Sequence, residues 1–334
     1  MPARLLTVAA MLGAIAVLGW PQASQAISLV PPTLEFSTQP GQTLTGRVKV
    51  YNDTKDFQTY YLSTSNFTAG GETGEPKFDF TTDVSDLADW IKPDVNQLDL
   101  QPGGQASINL SIAVPTAASP GGHYAGVFFG TTPPDAGNVR VQQRTGTLVI
   151  LRVEGDIREA AQVAQFAVAD SQGSGSHLPI SLVLRVQNTG NTHFRPKGFV
   201  TIRNMFGGVA ATIDVNPKEG AVLPDSVRRF DLTWKKDAAS LPAANFFGQV
   251  GQEWNNFAFG AYTADLAATY GTTNQNLTAA LKVVVVPWRL LLLIVVLLAI
   301  VILILTFGIR RYNAAIVKRA ERQLKQPNNN PPKL

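Results

Sequence analysis

Residues Leu290–Phe307 read LLLLIVVLLAIVILILTF, eighteen in succession without a charge, and Arg310-Arg311 come almost at once after them. A helix rises about 1.5 Å per residue, so roughly 20 apolar residues cross a hydrocarbon core of about 30 Å. Val283–Val286 lengthen the run on one side. Pro287, Trp288 and Arg289 stand where one headgroup layer falls, and Arg310, Arg311 and Tyr312 where the other does. The expected transmembrane helix covers 287–309. The residues before it are then an ectodomain, and residues 310–334 are a short basic tail.

The other end of the chain agrees. Arg4, an apolar run from Leu5 to Leu18, Pro21 and then Ser24-Gln25-Ala26 have the form of a signal peptide over 1–26, cut after Ala26. The tail carries Arg310, Arg311, Lys318, Arg319, Arg322, Lys325 and Lys333 against the single acid Glu321. Short basic segments stay on the cytoplasmic side. The expected localisation is therefore the plasma membrane, crossed once, with the N-terminal ectodomain extracellular. The net charge of +4 belongs to the tail: without Arg4, Arg289 and those seven residues, 19 of 28 basic residues face 23 of 24 acids, about −4. No dense basic face remains to neutralise phosphates, which argues against nucleic acid as a partner.

The chain has no cysteine. Disulfide stapling and thiol chemistry are excluded, and the ectodomain must hold together by its apolar cores. Those cores are written in period two, the repeat of a strand lying over a core. Ala106, Ile108, Leu110, Ile112 and Val114 alternate with polar neighbours; so do Leu44, Gly46, Val48 and Val50. Ile180–Val186, Phe230–Trp234 and Tyr262–Tyr270 repeat the pattern, and Gly271–Asn276 turns the last of these into Leu277–Val285. Turns such as Gln39-Pro40-Gly41, Gln101-Pro102-Gly103-Gly104 and Asn188-Thr189-Gly190-Asn191 separate the strands. No amphipathic helix longer than two turns is expected. Asp83–Ile91 reads as one short helical turn, capped by Asp83 or Ser85, with Leu87 and Trp90 inward.

A weak internal repeat organises the region. Val48–Thr54 ends a strand in a polar turn before Phe57, and Leu184–Thr189 does the same before Phe194. Leu100-Gln101-Pro102 and Leu223-Pro224-Asp225 then lead into later strands. The expected fold is an all-β ectodomain of two tandem immunoglobulin-like β-sandwiches, 27–156 and 157–286, followed by the single transmembrane helix. Asp170–Ser176 is read as a loop inside the second sandwich.

The segments ISLVPPTLEFSTQPGQTLTGRVKVYNDT and LDLQPGGQASINLSIAVPTAASPGGHYAGVFFG, with a second β domain, one helix and a basic tail after them, carry a resemblance. The chain resembles the WxL-interacting cell-surface proteins of Gram-positive bacteria, best over 29–130. The resemblance implies a first domain of the peptidoglycan-binding type and a second directed at a host or partner surface.

Candidate chemistry is sparse. His123, His177 and His193 lie in a Gly-rich strand start, a Gly/Ser loop and a turn, none with a histidine or cysteine at metal spacing. Ser176-His177 is adjacent in sequence, which is not triad geometry. Asp79, Asp83, Asp86, Asp89, Asp94 and Asp99 form an acidic stretch that could offer oxygens to calcium but lacks the EF-hand spacing; it reads as a solvated loop. Among Tyr60, Tyr61, Phe128 and Phe129, neighbours on a strand point to opposite faces, so one of each pair is expected outward, where a ring could stack on a sugar. No catalytic, cofactor-binding or metal residue is assigned, and no enzyme activity is expected. The expected function is a membrane-anchored, non-catalytic binding module whose partner is a cell-wall polymer or another surface protein. The alternative is a membrane-tethered assembly factor or chaperone that receives exported proteins on an exposed edge strand.

Overall fold

The computed structural model describes residues 27–80, 85–133, 144–169, 174–236 and 245–324. The signal peptide expected over 1–26, Asp83, and the tail from 325 onward lie outside the described residues. The chain is mostly β-sheet with one long apolar helix near its C-terminal end. It divides into two compact units: residues up to Ala160 with Asn188–Phe194 and Val222–Ser226, and the remainder.

The first unit contains β1 (Ile27–Val30), β2 (Thr33–Thr38), β3 (Thr43–Asn52), β4 (Gln58–Gly70), β5 (Glu75–Phe78), α1 (Leu87–Trp90), β6 (Ile91–Pro93), β7 (Gln97–Leu100), β8 (Gln105–Ala113), β9 (Gly121–Gly130) and β10 (Arg144–Val153). One sheet has the order β1-β3-β8-β6, the other β2-β10-β9-β4 with β5 and β7 both on β4. Pro31-Pro32 parts β1 from β2. Proline has no N–H for a ladder, so the chain leaves β3 there and re-pairs, parallel, with β10.

The alternation in the sequence sets the core. Val48, Val50, Ile108, Leu110 and Ile112 from the first sheet meet Leu62, Val127, Phe129, Val149 and Leu151 from the second. Each side chain of this size, fully buried, stabilises by about 1.5–3 kcal/mol. The short helical turn is α1, but its cap is Asp86 rather than Asp83 or Ser85, and it buries Leu87 and Ala88. The opposite face of the second sheet carries another apolar layer, Phe67, Tyr124 and Ile150 with Phe78 packed on them. That layer corrects the reading of Phe128 and Phe129: both are buried, because Phe78 and Phe80 cover Phe128 edge-on at 4.7 and 5.4 Å. Tyr60 is buried and Tyr61 half-buried.

The second unit is built from β11 (Ala161–Val168), β12 (Ser174–Gly175), β13 (Ile180–Asn188), β14 (Lys197–Asn204), β15 (Val209–Asp214), β16 (Val227–Trp234), α2 (Phe246–Asn255), β17 (Gly260–Tyr270), β18 (Gln275–Val285) and α3 (Trp288–Leu324). Its sheets have the orders β11-β13-β16 and β12-β18-β17-β14-β15. Ile180, Leu182, Leu184, Phe230, Leu232 and Trp234 are buried on one side, and Val200, Ile202, Ala264, Leu266, Val283 and Val285 on the other. At Gly198 the backbone has φ +150°, and a Cβ there would stand 2.3 Å from the Ala267 carbonyl of the neighbouring strand, so only glycine fits. The ten-residue helix α2 corrects the expectation that no helix beyond two turns exists. Asn245 caps it by accepting from Gly248 N.

Asn52 and Asn188, which the sequence repeat aligns, make the same bonds. Each is fully buried and accepts from the backbone N–H two residues on (Thr54, Gly190). Each donates to the carbonyl four residues on (Asp56, Thr192) and to a second, distant carbonyl (Leu100, Val222). One side-chain amide thereby satisfies a whole turn.

The helix α3 begins two residues after β18 and is 37 residues long. It is long and apolar enough to cross a membrane, and only 6% of its apolar window is buried within the protein. It runs unbroken past Arg310-Arg311 to Leu324, so the first part of the basic tail is helical.

Candidate functional site

The three histidines lie apart. His123, on β9, is buried against the Trp90 ring at 4.7 Å. Its Nδ1 meets the Asp86 carboxylate and its Nε2 the Ser119 carbonyl at 2.9 Å. Both partners only accept, so the imidazolium, with two N–H donors, is the form that satisfies both. Burial lowers the pKa of His123, but the Asp86 hydrogen bond, the Ser119 carbonyl and the Asp86 charge outweigh it, and the net shift is upward. His193, in the first unit, has the Tyr124 hydroxyl 3.3 Å from Nδ1 and the Glu35 carboxylate 3.9 Å from Nε2. His177 turns Nδ1 to the Leu178 carbonyl at 2.6 Å, while the Ser176 hydroxyl accepts from Arg289. Ser176 and His177 thus form no nucleophile–base pair.

The acidic stretch disperses in the same way. Asp86 goes to His123; Asp94 accepts from Asn109 N and Nδ2; Asp99 accepts from the Thr59 hydroxyl. Among the described residues, no group of three or more His, Cys, Asp or Glu side chains is placed to hold a metal.

What the fold does present is sheet edges. In the first unit they are blunted: β1 has four residues and stops before Pro31, β2 follows Pro32 and carries the exposed Glu35, β6 has three residues including Pro93, and β5 has four including Pro76. In the second unit, β16 carries Arg228, Arg229 and Asp231, and β12 has two residues. Two edges, β11 and β15, have neither proline nor charge within their ladders before Asp214. β11 lies along β18 of the opposing sheet, and β15 borders β16 less extensively. Among the described residues β15 (VAATID) is paired only on its β14 side, and it leaves Val209, Ala210, Thr212 and Asp214 exposed. A cleft of about 290 Å³ opens where it ends, lined by Arg195, Lys197, Phe199, Asp214, Asn216 and Glu219. Phe199 on its wall is exposed. An extended peptide can add to such an edge through its backbone and lodge a side chain in such a cleft.

No protein-family model matches the chain, and no curated protein matches it in sequence. Among solved structures it is similar to the class 5 fimbriae chaperone CfaA, at 13% identity and a TM-score of 0.37, over 78% of this chain and 100% of that one. The Pseudomonas aeruginosa chaperone CupB2 (9%, TM-score 0.31, 77% and 100%) and the E. coli chaperone DraB (9%, TM-score 0.31, 78% and 99%) are further examples. Likeness at this level carries no functional inference; the function is argued from the chain's own edges.

Proposed function

We propose that this is a single-pass membrane protein whose two units are tandem immunoglobulin-like β-sandwiches facing the cell exterior, and that it acts without catalysis as a tethered assembly factor for exported proteins. It holds an extended segment of its client as an added strand on β15. The observation that carries this reading is that edge itself, six residues long, unpaired on its outer side among the described residues and uncharged until Asp214. Soluble proteins normally blunt such an edge with lysine, proline or a bulge; β15 has a register shift at Ala210, so the regular stretch offered to a client is Ala211–Asp214. Each main-chain bond to a client contributes about 0.5–1.5 kcal/mol net, so a handful gives reversible, sequence-tolerant capture. The cleft beside Phe199 and Lys197 supplies selectivity for one client side chain. Tethering by α3 raises the effective concentration of the edge at the membrane. In the family that the sequence resembles, the second domain is the partner-facing one, which agrees with an edge in the second unit. A sugar platform loses support, since Tyr60, Phe128 and Phe129 are buried.

A photo-activated crosslinker placed at Thr212 of the full chain, in its own cells, tests the reading. Ala267, exposed on the central strand β17, is the control. Adducts to exported proteins from position 212 and none from 267 are expected. Retention of the protein on purified wall polymer, with no protein adduct at 212, would overturn the proposal.

A further inference from the structure

The register of the second unit gathers its exposed aromatic side chains at one end. Gly260 pairs with Val285, the last residue of β18 before α3, and Asn204 pairs with Tyr262, so the β14–β15 turn lies at that end too. The turn bears Met205 and Phe206, and Met205 reaches over Gly260. The helix α2 packs on α3 and contributes Phe246, Phe247 and Trp254; Phe257 and Phe259 come directly after it, and Trp288 begins α3. Phe206 is 88% exposed, Phe247 74% and Trp254 70%, values that no folded core explains. Lys236 stands beside them, bonding the Phe257 carbonyl.

The chemistry of this surface is that of a bilayer interface. Aromatic rings and lysines mark the headgroup layers of membrane proteins. The only ionisable side chain of α2, Glu253, is turned wholly inward onto Arg289, so the outward surface of that helix carries no charge. The patch is continuous in the chain with the helix that is apolar enough to cross the membrane.

We propose that the end of the second unit formed by α2, Phe257–Phe259 and the Met205-Phe206 turn is seated in the headgroup layer that α3 enters. The rings insert to the headgroup–acyl boundary, at a depth of about 5–10 Å. The unit then meets the membrane as a lipid-contacting foot and not as a body swinging on a free tether. The inference rests on the reading that α3 crosses the bilayer.

The chain has no cysteine, so single sites can be spin-labelled without background. The full chain is reconstituted in vesicles of phosphatidylcholine and phosphatidylglycerol with Phe206→Cys, Phe247→Cys, Thr273→Cys or Ile300→Cys. Collision with oxygen, which partitions into lipid, is compared with collision with a water-soluble nickel chelate. Sites 206 and 247 are expected to shift toward oxygen, between the deep site 300 and the aqueous site 273 in the distal β17–β18 turn. The proposal is overturned if 206 and 247 match 273 while 300 remains deep. It is equally overturned if 206 and 247 are shielded from both reagents and show spin–spin broadening, the sign of a second copy in place of lipid. A nickel-accessible site 300 would defeat the bilayer-crossing reading itself, and this inference with it.

Discussion

Glu253 is completely buried, and its carboxylate is shared between the Arg289 guanidinium at 3.1 Å and the Leu290 backbone N–H at 2.7 Å. The Leu290 N–H belongs to the first turn of α3, where backbone donors have no partner inside the helix. A carboxylate supplied by α2 caps it, and negative charge at a helix start is favourable. Arg289 also lies over the Trp288 ring at 4.4 Å and reaches the Ser176 hydroxyl. The start of the apolar helix is thus fixed to the second unit by side chains from three segments.

Glu253→Ala is expected to lower stability by about 1–3 kcal/mol, because the buried Leu290 N–H loses its acceptor while the half-buried Arg289 keeps the Ser176 hydroxyl. Arg289→Ala is expected to cost more, about 3–5 kcal/mol, because it leaves the fully buried Glu253 carboxylate without its counter-charge, and the double variant is expected to cost less than the sum of the two. Denaturant titration of the full chain in detergent, arranged as a double-mutant cycle, measures the coupling. Strict additivity would show that the pair does not act as a unit.

At Asn52, replacement by alanine removes the side-chain donor to the carbonyls of Asp56, Leu100 and Gln101 and the acceptor of Thr54 N and the Tyr60 hydroxyl. A loss of about 2 kcal/mol is expected. Asn52→Asp is expected to be worse at neutral pH, since it points an anion at three carbonyl oxygens. Thermal unfolding of the three proteins gives the order, and an aspartate variant as stable as the alanine one would contradict it.

Stability of the first unit is expected to depend on pH through His123. Its pKa is raised on folding, so the protonated form contributes stability that is fully present below the ordinary histidine value of about 6.5 and is lost as pH rises through the higher folded value. The unfolding temperature should therefore fall between mildly acidic and mildly alkaline buffer. Asp86→Asn should flatten that fall. An unchanged slope in the variant would assign the pH dependence to other groups.

Thr212→Lys places a charge on the open edge, the device by which natural edges repel strand addition. Stability is expected to stay within about 0.5 kcal/mol of the parent, as for most exposed substitutions. Crosslinking from a probe at Ala210 should drop sharply. Equal adduct yield with lysine at position 212 would show that clients do not use β15.

Much of the strand layout was legible because period two is a local property. Ile108, Leu110 and Ile112, or Leu182 and Leu184, announce both a strand and its buried face, and the structure buries them. The helix α2 was not legible. Its segment FFGQVGQEWN holds two glycines, which count against a helix, and its local signals were short: the spacing of Phe246, Phe247, Val250 and Trp254 and Asn245 as a cap. The role of His123 was equally hidden, since Asp86 is 37 positions away and the two meet only when β9 passes beside α1.

The length of the apolar run at 290–307, the absence of cysteine and the alternation of the strands are fixed by the order of residues alone, because each depends only on near neighbours in the chain. Which strand is left at an edge, which rings of a pair are covered, and where Phe206, Phe247 and Trp254 collect are set by contacts between residues distant in sequence. Such pairings exist only once the sheets have closed, so the open strand and the aromatic foot could be read from the tertiary structure and from nothing earlier.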